Sequence, residues 1–401
     1  MQACALEFAT RTRSGPIHVF ALANGTAAIY ARAADVSPAL WAETFGEQEK
    51  DLRYYELLER TMARGFLYRY LVLFTPNDKP FALQPLILVE QDLAISLGER
   101  TKRALAEARK FLPRLMCSRM LIAGCLVGNG YFGVSKDFSD ERAFEILAEA
   151  LLYYAARENI PFLIVKDFPA RRREEMRPLV QAGFTRLDGF PPLRLDLDFA
   201  NFEEYLSGRL SKITRKSLRR KFRAAANAEP PITLEVRNNC RSVIDEIYPL
   251  YLEVARRSTI KFEVLTREYF LDASLTMPER CRFFIWRQAG KAVAFSYCTV
   301  WNGTIFDHDL GLDYAVAHEL NLYYLSFRDI LRWALRHGYR RYRTSPFNYD
   351  PKMHLRLELE AVDLFVRHRS HLLNFLLRHL APRFAPAKSD PVLRRHFSSL
   401  S

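Results

Sequence analysis

Apolar and polar positions alternate most clearly in the last third of the chain. RFFIWRQ (282–288) ends at Ala289-Gly290-Lys291 and returns as AVAFSYCTVW (292–301). Asn302-Gly303 then leads into TIFDHDLGL (304–312), which predicts three strands joined by tight turns as an antiparallel meander. A polar stretch, DYAVAHE, precedes the helical spacing of LNLYYLSFRDILRWALRHG, with Gly338 where a helix C-cap belongs. YRRYRTS reads as another strand. After a short segment around Tyr349, AVDLFVRHR is expected to close the unit as its last strand.

The first half carries a similar succession. A hairpin around Asn24-Gly25 covers 17–32, and Ser37-Pro38 opens a helical pattern reaching about Ala63. Strands are expected at 67–74 and 81–90, followed by a basic amphipathic insertion at 97–115. SRMLIAGCLV reads as a strand, GNGYFG (128–133) as a glycine-bearing loop, 139–158 as a helix and IPFLIVKDF as a strand. RRREEMRPLVQAG reads as a charged helix, and FTRLDGFPPLRLDLDF completes this half. The second half opens with strand 232–237 and two helices before the meander. The repeated order argues for an internal duplication of fold.

Charge changes the picture at one place. Lys and Arg number 59 against 46 Asp and Glu, a formal net charge of +13. That excess favours an anionic partner such as CoA phosphates, an anionic membrane surface, a phospholipid-like substrate or RNA. It concentrates in RLSKITRKSLRRKFRAA (209–225), with no acidic residue from Tyr205 to Ala228. A narrow apolar stripe (Leu210, Ile213, Leu218, Phe222) predicts a helix with its cationic face outward. Lys212, Arg215, Lys216, Arg219 and Arg220 are the candidate anion-binding residues, with a solvated helix face as the alternative. Only Phe222 interleaves an aromatic with this run, so single-stranded nucleic acid is a poor fit. A second amphipathic helix, SHLLNFLLRHLAPRF, gathers Leu372, Leu373, Leu376, Leu377 and Leu380 on one face. It reads either as an interfacial helix or as one docked on the core. The remaining tail reads as poorly ordered.

Six cysteines lie scattered with no CxxC and no histidine at ligand spacing, which argues for free thiols in a reducing compartment and no metal. No stretch reaches the roughly 20 apolar residues of a spanning helix, and the N-terminus lacks a signal-peptide layout. The expectation is a cytoplasmic protein, peripheral at the inner face of the membrane if it touches one.

The order strand, two helices, three strands, helix, strand, helix, strand resembles the acyl-CoA N-acyltransferase (GNAT) superfamily. Within it, the chain looks like the double-domain branch that includes the Fem-type peptidoglycan aminoacyl transferases. The resemblance implies an α/β (α+β) chain of two tandem GNAT-like domains, each a mixed, mostly antiparallel sheet flanked by helices. The expected division is a degenerate domain at 1–200, a basic connecting helix at 201–230, a catalytic domain at 231–370 and an amphipathic helix with tail at 371–401.

Acyl transfer from a thioester to an amine requires a base, a donor for the developing oxyanion and, where needed, an acid for the leaving thiolate. Asp307, His308 and Asp309 on the central strand are the candidate bases. Alternation places Asp307 and Asp309 on one face and His308 on the other. His308 is the first candidate, a hydrogen-bonded core histidine being its alternative. Glu319, with His318 beside it, is a further candidate and also suits a helix N-terminus electrostatically. The family's pyrophosphate loop falls on Tyr314 to Asn321, so Tyr314, Ala315, Ala317, His318 and Asn321 are the implied cofactor contacts, although this segment has no glycine. The resemblance assigns Tyr349 the role of thiolate acid, with Ser345 and Asn348 either binding substrate or shaping the turn.

The implied reaction is acyl transfer from acyl-CoA, as cosubstrate, to a primary amine. The acceptor is expected to be a lipid or envelope precursor such as a long-chain sphingoid base, which suits the basic surface, the amphipathic helices and the 29 phenylalanines. The alternatives are Fem-type aminoacyl transfer and a non-catalytic membrane-surface or nucleic-acid-binding protein on a GNAT scaffold.

Overall fold

The computed structural model describes residues 15–92, 107, 117–258 and 263–398. The basic insertion expected at 97–115 therefore lies, but for Glu107, outside the described residues. The chain divides into two compact units, residues 1–190 with 361–401, and residues 191–360.

In unit 1, β1 (Pro16–Leu22), β2 (Gly25–Tyr30), β3 (Phe66–Phe74), β4 (Pro80–Asp92) and β5 (Cys117–Ala123) form an antiparallel succession. β6 (Gly133–Val134) pairs with β4. β7 (Phe162–Pro169) runs parallel to β5. The helical spacing at the start resolves into α1 (Pro38–Phe45) and α2 (Leu52–Thr61), the latter capped by Asp51. Between β5 and β7 comes α3 (Asp140–Arg157), capped by Ser139, whose apolar stripe from Phe144 to Tyr154 fills the core under the sheet. The charged stretch after β7 is shorter than expected, a 3-10 turn at Ala170–Arg172 and α4 (Arg177–Gln181), followed by β8 (Thr185–Asp188).

In unit 2, the sheet order is β10-β11-β12-β13-β14-β9-β15. Its members are β9 (Leu193–Asp196), β10 (Ile232–Arg237), β11 (Cys281–Gln288), β12 (Lys291–Trp301), β13 (Thr304–Leu312), β14 (Arg341–Thr344) and β15 (Glu358–Leu359). The meander β11-β12-β13 is as the pattern predicts. Its turns place Ala289 and Gly290 at φ 49° and 80°, and Asn302 and Gly303 at φ 44° and 69°. Two successive positive φ angles suit the twist of a hairpin and explain Gly290, Asn302 and Gly303, whereas Ala289 takes the same region against its Cβ. The helices are α5 (Phe202–Arg209), the basic α6 (Lys212–Ala226), α7 (Ile244–Arg257), α8 (Arg267–Thr276), α9 (Leu322–Arg336) and α10 (Tyr349–His354). Two mixed, mostly antiparallel sheets flanked by helices thus match the expected class. The basic segment at 201–230 is no separate connector but part of unit 2.

Two strands depart from the expected boundaries. AVDLFVRHR forms β16 (Val362–His368), which does not close the second sheet but lies between β7 and β8 of the first. β9, expected to finish the first half, lies between β14 and β15. The reason at β16 is electrostatic as well as apolar. Asp363 is fully buried, and both its oxygens accept bonds of 2.8 Å from Arg173, with a further 2.8 Å bond from Arg186. Such a carboxylate is tolerable only where these guanidinium groups meet it. Val362, Phe365 and Val366 bury the rest of the strand.

Beyond β16, α11 (His371–Leu380) is followed by a 3-10 turn at Ala381–Phe384, α12 (Pro386–Ser389) and α13 (Pro391–Ser398). The tail is therefore helical through 398, with Leu393 fully buried, instead of loose. Asp363→Ala leaves two arginines facing a buried gap and is expected to cost about 3–5 kcal/mol, read as a lowered midpoint in urea denaturation.

Candidate active site

β13 is paired on both edges only over its first half. Toward β12 the ladder runs from Thr304 to Leu312, whereas toward the parallel β14 it runs from Thr304 to Asp307. A last contact, from the Ser345 N–H to the Asp307 carbonyl at 3.4 Å, marks where the strands part. The Asp313 N–H donates to Val293 on the β12 side (2.8 Å). By alternation, the N–H groups of Leu310 and Leu312 then face the side that β14 has left. These are free-edge donors at a notch in the middle of a sheet.

At the parting point the ladder slips by one residue. Asp309 pairs with Tyr297 and Asp307 with Cys298, so His308 is the extra residue of a β-bulge. The bulge reverses the phase of the alternation. Because Tyr297 and Cys298 are adjacent on β12, their partners Asp309 and Asp307 point to opposite faces. The expected grouping of the two aspartates on one face is corrected accordingly.

The three residues consequently meet different surroundings. Asp307 accepts from the Tyr342 hydroxyl at 2.7 Å and from the Ser296 hydroxyl, with the Cys298 thiol 3.6 Å away. With both oxygens engaged, it holds the strand in place. Thr299 Oγ1 lies 2.6 Å from Nε2 of His308, whose ring stacks on Phe306. All three line the cavity, and the carboxylate of Asp309 hydrogen-bonds to none of the described residues. Burial raises its pKa to about 6, the His308 charge opposing and the Asp307 charge adding to the shift. Asp309 thus joins a raised pKa to a carboxylate without a hydrogen-bond partner among the described residues, the combination that proton transfer from an ammonium requires.

The cavity has a volume of about 320 Å³. Leu310, Leu312, Tyr251, Val254, Phe327 and Leu357 give it apolar walls. Thr344, Ser345, Phe347 and Asn348 form the β14 side. Phe347 and Asn348 are consecutive non-glycine residues at φ 72° and 49°, a costly conformation of the kind found at functional rims. Lys352, on α10, is buried in the wall and donates to the Ser345 carbonyl at 2.7 Å. Burial pushes its pKa down to about 8, against the pull of Asp307. No pattern in the sequence singled out Lys352. Tyr349, one turn earlier on the same helix, is buried and does not line the cavity.

The segment preceding α9 is a closed turn and not an open anion loop. Asp313 caps it, its carboxylate accepting from Ala315 N–H and its carbonyl from Val316 and Ala317 N–H. The N–H groups of Leu320, Asn321 and Leu322 bond to Val316, His318 and Ala317 carbonyls. Those donors are used by the turn itself. Ala315, His318 and Glu319 are exposed and outside the cavity, Ala317 is buried, and Tyr314 lines the cavity beneath the Arg257 guanidinium at 3.9 Å. Asn321 sits in the left-handed region at φ 51°, and its side chain meets Lys221 Nζ at 3.5 Å. Lys221 also lies 4.1 Å over the Tyr324 ring, so the basic helix does place a cation at the start of α9. Among the expected anion binders, Lys212, Lys216, Arg219 and Arg220 are exposed, and Arg219 pairs with Glu203 at 3.1 Å. Arg215 instead caps α5 through bonds to the Ser207 and Leu210 carbonyls.

Unit 1 treats the corresponding place differently. After β5 the glycine-bearing loop doubles back against β7, the Gly130 N–H donating to Asp167 at 3.1 Å. Its carbonyls face lysines: Lys50 bonds to Val127 and Asn129, and Lys166 to Gly128. A Cβ on Gly130 would lie 2.2 Å from the Lys166 carbonyl, which explains the glycine by close approach.

The acetyltransferase (GNAT) domain family matches residues 212–352, the stretch that carries the notch. Among curated proteins none matches the chain. Among solved structures, FemX is similar at 11% identity over 85% of this chain and 97% of that one, with a TM-score of 0.53. A conserved protein of unknown function from Bacteroides thetaiotaomicron is similar at 10% identity over 84% and 98%, with a TM-score of 0.50. L-PGS from Bacillus licheniformis shows a looser likeness, 13% identity over 81% and 94% at a TM-score of 0.46. At these identities the likeness is one of fold, and that fold is the GNAT superfamily's.

The raised Asp309 pKa fixes a sign. The folded chain holds this proton more tightly than the unfolded chain, whose value is about 3.9. The resulting stabilisation is present below that value and is lost as pH rises through 6. Asp309→Asn is therefore expected to melt at a higher temperature than wild type at pH 8. Thermal melts should show the difference shrinking toward pH 4.

Proposed function

We propose that unit 2 transfers an acyl group from acyl-CoA to a primary amine, and that the acceptor carries a lipid chain, as a long-chain sphingoid base does. The observation that carries this reading is the notch between β13 and β14. It holds an unpaired carboxylate of raised pKa, free backbone donors and an apolar cavity in one place. Asp309 takes the proton of the attacking ammonium, and the Leu310 N–H meets the oxyanion that develops on the thioester carbonyl. Lys352, in the wall where Tyr349 was expected to act, gives a proton to the departing thiolate. The cavity's apolar lining suits an acyl or alkyl chain better than a small polar amine. For the phosphate end of the donor, Lys221 and the cations of α6 supply charge in place of a glycine loop.

Unit 1 is proposed to be degenerate, because after its own central strand β5 the glycine loop closes against β7, whereas in unit 2 the strands β13 and β14 part. An aminoacyl-tRNA donor is disfavoured. The described helices of unit 2 after residue 240 are α7 to α10, none longer than 15 residues, and no long helical arm projects from them. Cys125, Cys240, Cys281 and Cys298 are free and buried, in keeping with a reducing, cytoplasmic setting.

The test is thiol release by purified protein from a panel of acyl-CoA chain lengths with long-chain and short primary amines. Long-chain pairs are expected to turn over, and Asp309→Asn to lower kcat by about 10²–10⁴-fold. Absence of release with every pair, or an unimpaired Asp309→Asn, would overturn the proposal. The pH profile of kcat/KM is expected to be bell-shaped, rising near pH 6 as Asp309 ionises and falling near pH 8 as Lys352 loses its proton. Lys352→Met should flatten the alkaline limb, and an unchanged limb would remove Lys352 from the mechanism.

A further inference from the structure

Helix α11 is built to lie on a surface that the chain itself does not supply. One side of it docks on unit 1. Asn374 accepts from the His368 N–H at 2.9 Å and donates to the Gly183 carbonyl at 3.0 Å, and Leu377 packs on the small cluster of Leu187 and Val366. The opposite side carries Leu372, Phe375 and Leu376, which are 69%, 60% and 43% exposed, with Leu373 and Leu380 on its flank at 48% and 44%. No residue of the helix is buried. Five large apolar side chains on two and a half turns form a contiguous patch, which isolated monomers rarely leave in water.

The charges around the patch indicate what covers it. No acidic residue occurs between Asp363 and Asp390, while Arg367, Arg369, Arg378, Arg383 and Lys388 fall in that interval. Arg378 and Arg383 are exposed and make no ion pair among the described residues. A protein partner would require an apolar groove edged with acids. An anionic bilayer offers apolar depth for the leucines and phosphates for the arginines along the whole helix. No described helix is long and apolar enough to cross a membrane, so the contact is one of surface insertion.

We propose that α11 seats the protein on the headgroup layer of an anionic bilayer, with Leu372, Phe375 and Leu376 entering the acyl boundary. The proposal rests on the patch and its charges and not on the acyl-transfer reading.

The experiment is flotation of the full chain with vesicles of phosphatidylglycerol and phosphatidylcholine in roughly equal parts, and with phosphatidylcholine alone. The protein is expected to float with the mixed vesicles, release on raising salt, and bind phosphatidylcholine about tenfold or more weakly. Leu372→Asp/Phe375→Asp should lose flotation by a similar factor while keeping its circular dichroism and its thiol release from a soluble acyl-CoA. Val19→Asp, an equally exposed apolar site on β1, should float like wild type. Flotation unaffected by the double substitution would overturn the proposal. So would light scattering that shows a dimer dissolved by the same substitution with no vesicle binding, because the patch would then belong to a second copy.

Discussion

Everything proposed for this chain depends on a strand that is paired on both sides for half its length and on one side for the rest. β13 leaves β14 after Asp307, and the departure is held open by specific contacts. Asp307 ties the last paired turn to Tyr342 of β14 and to Ser296 of β12. The bulge at His308 then twists β13 away, as a bulge does. Burying free backbone donors in the middle of a sheet is costly, so such a notch persists only where the surrounding packing over-determines it. Here Trp286 and Phe284 pack under the sheet against α9, and the Trp286 N–H donates to Asp329 at 2.9 Å.

Much of this fold was legible from pattern alone, because its elements obey local rules. The two φ-positive turns announced the meander, Gly338 (φ 75°) marked the end of α9, and the serine and asparagine caps of α3, α5 and α6 stand where helical spacing begins. What escaped was non-local. An apolar run such as AVDLFVRHR says that a strand forms and nothing about which sheet receives it. The deciding contact, Asp363 with Arg173 and Arg186, spans 190 and 177 residues.

The site shows the same division. The Asp307-His308-Asp309 run was legible as polar groups in a strand, but the two-residue period assigned their faces wrongly because a bulge has no signature in this sequence. All three line the cavity, but His308, the first candidate by residue type, has its Nε2 engaged by Thr299, while the Asp309 carboxylate hydrogen-bonds to none of the described residues. Lys352 was hidden because a lysine after Tyr349 looks like any solvated helix residue, and only the fold buries it. The basic run also divides on inspection: Arg215 caps a helix, Arg219 pairs with an acid, and Lys221 reaches the start of α9. Charge density alone could not separate structural from ligand-facing cations.

The most direct measurement is a crystal structure of the full chain with a non-hydrolysable thioether analogue of a long-chain acyl-CoA. The account predicts the acyl chain in the cavity of unit 2, with the atom replacing the thioester carbon between the Asp309 carboxylate and the Leu310 N–H. An analogue bound at the glycine loop of unit 1, or one whose chain stays outside the space between β13 and β14, would contradict it.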